Sequence, residues 1–315
     1  MVESKHKWKA WLYLAPAIVL LLIFTVWPIV NTVRIAFLDG YNMLGAVGGE
    51  TYEFGIKNFT DVLDEYSGFK EALINTLLLT VVTVPLSTIL ALLIAVCLNS
   101  IRPLQRFLQT IFFLPYVTNS IAIGMVFAAM FNIVGSFYGT ENELVVTAGI
   151  INNIIEFFGG TRVNWINYGS SYAANMFVMV VYIVWNALPF KILVLLGGLQ
   201  SINKQYYDAA KVDGTPRHRV FTHITVPLLS PMLAYVVITG FIGGFKEYTS
   251  IVGIFGEKMG PADDAFRLNT MVGFIYKALE ENNEGRASAA ALILFVIILI
   301  VTLINNWVSS KRVHY

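Results

Sequence analysis

Few side chains in this sequence could do chemistry, and most of those that could are not spaced for catalysis. The four histidines are His6, His218, His223 and His314. His218 and His223 are five residues apart beside Arg217 and Arg219, a pairing that gives little reason to expect a metal. No Gly-Lys dipeptide occurs, so a G-x-x-x-x-G-K-[ST] phosphate loop is excluded, as are an H-E-x-x-H zinc pair and a G-x-S-x-G nucleophile elbow. The remaining candidates are polar and aromatic groups set in apolar runs. Tyr116 and Ser120 are four apart, the spacing of one helix face, while Asn119 points elsewhere. Asn186 and Phe190 share a face around Pro189, and Glu247 with Tyr248 ends a run in which Gly240, Gly243 and Gly244 leave room. Each unpaired buried hydroxyl costs roughly 1–3 kcal/mol, so such groups need partners where they lie.

The elements that must position these groups are membrane helices. Hydrophobic residues make up 57% of the 315 and charged residues 13%. The apolar residues arrive in runs of the length a helix needs to cross hydrocarbon. Six runs stand out, at about 11–37, 74–98, 110–132, 172–196, 224–245 and 288–308. They lack the alternation of barrel strands, and backbone amides in lipid must be satisfied internally, so an all-α protein with six transmembrane helices is expected. The first run is too long for a signal peptide and has no small-x-small cleavage site, so it is read as retained. Cys97, the one cysteine, lies inside a run and has no intrachain partner.

Charge sets the orientation. One side of this topology holds both termini and the segments near 99–109 and 197–223, with 11 Lys and Arg in about 55 residues. The other holds 8 in about 117. That bias places the first side, with both termini, in the cytoplasm. Arg34 and Lys191 lie near span ends and are expected to snorkel to their interfaces. Pro28, Pro85, Pro115 and Pro189 permit kinks. In the second outer loop, Leu144–Val146 and Ile150–Phe158 have apolar residues at helical spacing, which predicts a short surface helix.

The cytoplasmic segment 197–223 is built like two capped helices. Ser201 or Asn203 is a candidate N-cap, good helix formers follow from Lys204 to Asp213, and Gly214 supplies a left-handed stop. Thr215 is then expected to cap a second helix with Pro216 at its first position. Ala209 and Ala210 permit close approach of a partner, and the charges around them suit docking as well as contact with lipid.

These residues carry a family resemblance. Asp208-Ala-Ala, Asp213-Gly214 and Phe221-x-x-Ile224-x-x-Pro227-Leu-Leu-x-Pro231 resemble the E-A-A…D-G loop of permease subunits in binding-protein-dependent ABC importers. The likeness extends from Leu114-Pro115-Tyr116 through Leu196-Gly-Gly-Leu-Gln200 to Arg286-Ala-Ser-Ala and Arg312-Val-His-Tyr, and is most similar to the sugar branch, of maltose and glycerol-phosphate type. Asp208 stands where Glu is usual, Thr215-Pro216 replaces a small residue and its neighbour, and Val226 replaces Leu.

The resemblance implies a type I importer permease fold with a cytoplasmic coupling helix. It implies a second related permease, two cytoplasmic ATPase subunits that bind ATP and Mg, an extracytoplasmic solute-binding protein and a sugar substrate, with no cofactor in this chain and no nucleic acid. It assigns ATPase coupling to Tyr207, Asp208, Ala209, Ala210, Asp213 and Gly214. Sugar contact falls to Tyr116, Ser120, Asn186, Phe190, Gly240, Gly244 and Glu247. The rival is an ion-coupled secondary transporter, disfavoured because no Asp or Glu lies inside any of the six runs.

Overall fold

In the computed structural model, residues 7–101, 105–138 and 144–310 are described. Helix α1 (Lys7–Leu21) passes through a π turn at Leu22–Val26 into α2 (Trp27–Ala36). Pro28 has no amide to give the carbonyl four residues back, and the wider turn lies where that bond is missing. Two short helices follow, α3 (Met43–Val47) and α4 (Lys57–Leu63), then the long α5 (Phe69–Ser100). The third apolar run is divided into α6 (Gln105–Val117) and α7 (Ser120–Phe131), bent by 104°.

Beyond α7 the chain forms an antiparallel hairpin, β1 (Ile133–Tyr138) with β2 (Leu144–Ala148), before α8 (Ile150–Phe157). The helix expected for this loop therefore begins at Ile150, and Leu144–Val146 is strand instead. Val145, Val146 and Thr147 are β-branched and favour the pleated conformation. Gly149 separates the two elements, where a Cβ would collide with the carbonyls of Met130, Ala129 and Asn132.

Next comes α9 (Tyr172–Ser201), followed by α10 (Lys204–Val212) and α11 (Arg217–Val220). A π turn at Phe221–Thr225 leads to α12 (Val226–Leu228) and α13 (Ser230–Phe245). The fifth run is thus also broken, by 67° at Leu229, where Pro227 and Pro231 remove two amides. Helices α14 (Thr249–Phe255), α15 (Met271–Glu280) and α16 (Glu284–Ser310) complete the order. Among the described residues four helices are long and apolar enough to cross a membrane, or up to six if each bent pair is one crossing.

The chain forms two compact units. Residues 1–70 and 274–296 make the first. Its anchor is Asn58, 1% exposed, whose Nδ2 donates to the carbonyls of Ala36 and Leu38 at 3.1 and 2.7 Å. The start of α16 is tied to the same loops, with Gly285 N–H on the Tyr41 carbonyl at 2.9 Å and Arg286 Nη2 on the Ser67 carbonyl at 3.0 Å.

The second unit, residues 71–273 and 297–315, holds the larger core. Tyr182, Met179 and Val178 of α9 pack with Phe131 of α7 and Ile251 of α14. Helices α7 and α14 touch backbone to backbone: a Cβ on Gly124 would lie 2.7 Å from Gly253 Cα. A second cluster joins Ala91, Ala95 and Leu98 of α5 to Ile192, Leu195 and Leu199 of α9 and Val236 of α13. Loops between the long helices are held by buried amides. Asn152 accepts from Val163 N–H at 3.0 Å and Trp165 Nε1 at 3.2 Å, and Asn75 Nδ2 donates to the carbonyls of Arg267 and Asn269.

Candidate functional site

Polar groups from α5, α7, α9 and α13 face one another across a cavity of ≈ 430 Å³ in the second unit. All seven residues to which the resemblance assigns sugar contact line it: Tyr116, Ser120, Asn186, Phe190, Gly240, Gly244 and Glu247. Helix α9 contributes by its period, since Tyr182, Asn186 and Phe190 are successive fours on one face. Tyr182 hydroxyl donates to the Ser120 carbonyl at 2.5 Å and lies 3.2 Å from Ser120 Oγ, and Asn186 Nδ2 donates to the same Oγ at 3.4 Å. Tyr116 stacks on Phe190 with ring centroids 5.9 Å apart and 19° between planes. Such aromatic faces suit the C–H faces of a polyol while the amide and hydroxyls take its oxygens.

Tyr116 and Ser120 meet for a reason the sequence reading had wrong. They do not share a helix face, because α6 ends at Val117 and Asn119 begins α7 as its N-cap. The Asn119 side chain accepts from Ile121 N–H at 2.9 Å. Pro115 deletes one backbone bond and Asn119 offers the chain a new start, so the run breaks here, and the break turns both residues toward the cavity.

The glycines of α13 divide into two kinds. A Cβ at Gly244 would lie 2.8 Å from Thr80 Cγ2 and one at Gly240 would lie 3.0 Å from Val84 Cγ1, so these two seat α13 against α5. Gly243 has nothing within 4 Å of its Cβ position and leaves free space. Glu247 stands two residues past α13, where its Oε1 accepts Ser250 N–H at 3.1 Å and its carbonyl accepts Thr270 Oγ1 at 2.8 Å.

Lys191 corrects the expectation of snorkelling. It is 4% exposed and lines the cavity, with Nζ donating to Ser87 Oγ at 2.7 Å, Thr88 Oγ1 at 2.9 Å and the Val84 carbonyl at 3.2 Å. Acceptors on α5 lie within reach of the ammonium, so it bonds inside the protein and does not extend to the interface. Sequence reasoning missed this group and its partners. The available signal was Thr83, Ser87 and Thr88, three hydroxyls clustered within about one and a half turns of a long apolar run.

The segment 197–223 presents a second surface. Asn203 caps α10 through Gln205 N–H at 3.0 Å, while Ser201 is the last residue of α9 and bonds back to the Gly198 carbonyl at 2.7 Å. Gly214 ends the helix at φ +64°, with Thr215 N–H on the Ala210 carbonyl and Gly214 N–H on the Lys211 carbonyl. That pair of bonds is the Schellman arrangement. Pro216, not Thr215, is the N-cap of α11: its ψ of 147° is extended, and its carbonyl accepts from Arg219 and Val220. Of the six residues given a coupling role, Ala210 is buried and Tyr207 turns inward to Thr225 Oγ1 at 3.3 Å. Asp208, Ala209, Asp213 and Gly214 are exposed, beside Tyr206 and Val212, which is 88% exposed. His218 and His223 are exposed, and no cluster of metal-ligating side chains occurs among the described residues.

Membrane-length helices around a cavity of this polarity define a polytopic membrane component that handles a polar solute. Residues 84–314 match the binding-protein-dependent transport system inner membrane components, and the chain belongs to that family. It is 29% identical over 297 residues to the arabinooligosaccharides transport system permease protein AraP of Bacillus subtilis strain 168, covering 94% of this chain and 86% of that one. Against the lactose transport system permease protein LacF of Rhizobium radiobacter the identity is 28% over 265 residues, covering 83% and 81%. The fold is similar to that in the crystal structure of a bacterial ABC transporter involved in the import of the acidic polysaccharide alginate. The TM-score is 0.76 at 21% identity, covering 98% of this chain and 96% of that one. The type I importer permease fold expected from the sequence is therefore the fold of this chain, with the β1–β2 hairpin as an addition to its helices.

Proposed function

We propose that this chain is one pore-forming half of an ATP-driven importer for a sugar or oligosaccharide. The observation that carries the reading is the cavity, in which the stacked Tyr116–Phe190 pair stands beside Ser120, Asn186 and Glu247. The transport of arabinooligosaccharides and lactose by two relatives supports the substrate class. The second half would be a related permease. Two ATPase subunits would hold ATP and Mg and grip the exposed face of α10, and an extracytoplasmic solute-binding protein would deliver the sugar. Hydrolysis in those cytoplasmic subunits would then move α10, and through it the α9–α13 wall of the cavity.

The test is uptake of labelled oligosaccharide by the reconstituted complex with and without ATP. Alanine at Tyr116, Ser120, Asn186 or Glu247 is expected to reduce uptake while assembly and basal ATPase activity persist. Loss of one charge-free hydrogen bond corresponds to about 0.5–1.5 kcal/mol, so single Ser120 or Asn186 variants should show several-fold effects. Wild-type rates and substrate range in all four would remove the cavity from the pathway, and uptake independent of ATP would favour an ion-coupled carrier.

In this reading both termini and α10 face the cytoplasm. Single cysteines at Lys204 and Lys258, both exposed, placed in a Cys97→Ala background, are expected to label from the inside and outside respectively. Gly260 is a poorer reporter because it is buried and a Cβ there would meet the Asp264 carbonyl. Labelling of both positions from one side would overturn the orientation.

A further inference from the structure

The cavity wall carries an ammonium for which a neutral sugar has no need. The three N–H donors of Lys191 are matched by one carbonyl and two hydroxyls, all uncharged. None of the ion pairs among the described residues includes it. Hydrogen bonds to neutral groups satisfy its donors but leave its charge without a counterion in a buried setting, which is costly to maintain for packing alone.

The cage around it is built to present oxygen lone pairs. Ser87 Oγ donates to the Thr83 carbonyl at 2.5 Å and Thr88 Oγ1 to the Val84 carbonyl at 2.7 Å, so both hydroxyl protons point away from Nζ. Lys191 Nζ lies 3.3 Å from the place a Cβ on Gly240 would take, so the absence of a side chain there leaves the ammonium room beside the close packing of α13 on α5. Glu247 also lines the cavity but forms no ion pair with Lys191 among the described residues, and its Oε1 is engaged by Ser250 N–H.

We propose that Lys191 is a specificity-determining residue that recognises an anionic substituent, a carboxylate or phosphate, on the transported sugar. This rests on the sugar-import reading above. An anionic oxygen replaces one neutral acceptor of the ammonium and supplies the countercharge, with the sugar ring toward Phe190 and Asn186. A neutral sugar gains nothing from this end of the cavity.

The experiment uses the purified importer complex with its solute-binding protein omitted, so that outside selection does not mask the cavity. Binding is measured for three labelled probes: a neutral disaccharide, its uronate counterpart and a sugar phosphate. The uronate and phosphate arms separate the two anion sources. Wild-type complex is expected to bind one of the anionic probes at least tenfold more tightly than the neutral one. Lys191→Gln should erase that preference and Lys191→Arg should retain it. A merely structural lysine would change assembly or all three affinities together, not their ratio. A wild-type preference for the neutral disaccharide, or an anion preference unchanged in Lys191→Gln, overturns the inference and leaves the lysine as a tie between α5 and α9. The wild-type comparison needs no variant, so a Gln form that fails to assemble does not shelter the inference. ATP-driven saccharide uptake by the complete complex, together with no anion preference in the binding measurement, would refute this inference while upholding sugar import. Uptake of no saccharide by the complete complex would refute both.

Discussion

Valine in place of Gly214 is expected to lower ATP-driven uptake at least tenfold while leaving insertion in the membrane normal. Gly214 has φ +64°, and no atom lies within 4 Å of where a Cβ would sit. The effect is therefore one of backbone strain and not of collision. A β-branched residue held in this left-handed conformation costs about 1–3 kcal/mol, and about 1.4 kcal/mol is a factor of ten. The strain is relieved by giving up the bonds from Thr215 and Gly214 to the Ala210 and Lys211 carbonyls, which unwinds the end of α10 that carries Asp213. Asparagine tolerates this conformation, so Gly214→Asn should recover most of the activity. Measured together, uptake and co-purification of the ATPase should fall in the valine variant and return in the asparagine one. Normal uptake with the ATPase retained by Gly214→Val would show that α10 does not couple hydrolysis to transport.

The second large effect is expected where α7 crosses α14. A Cβ on Gly124 would lie 2.7 Å from Gly253 Cα and 2.8 Å from its carbonyl carbon, well inside the 3.5–4.0 Å of a normal carbon contact. Because the obstacle is backbone, no rotamer change relieves it, and Gly124→Leu must push the helices apart. That opens the core formed by Phe131, Tyr182 and Ile251. Overpacking of this kind costs at least about 1–3 kcal/mol, and each kcal/mol lowers the unfolding midpoint by about 2 °C in a chain of this length. Gly243→Ala is the matched control, since its Cβ meets nothing within 4 Å. Thermal unfolding of the two purified variants should show a midpoint several degrees lower for Gly124→Leu and unchanged for Gly243→Ala. Equal midpoints would mean that the crossing is looser than its geometry.

The sequence determined what depends on local spacing and on transfer from water. Long apolar runs located the six helical regions, because hydrocarbon admits only backbones that satisfy themselves. Asn203 and Gly214 defined α10, because capping and left-handed φ are properties of a few residue types. The seven cavity residues were also legible, as rare polar, aromatic or small positions in apolar runs. What spacing could not decide was direction. Tyr116 and Ser120 reach one cavity through a 104° break and not along a continuous face. Tyr207 lies in the segment to which the resemblance assigns coupling, yet it turns inward, because Thr225 from a segment 18 residues later meets its hydroxyl. Lys191 lies near the end of an apolar run, where a long side chain ordinarily escapes to water. Only the approach of α5, bringing Ser87, Thr88 and the Val84 carbonyl within 3.2 Å, keeps it inside. A buried charge is settled by acceptors more than a hundred residues away in sequence, and no local period records them.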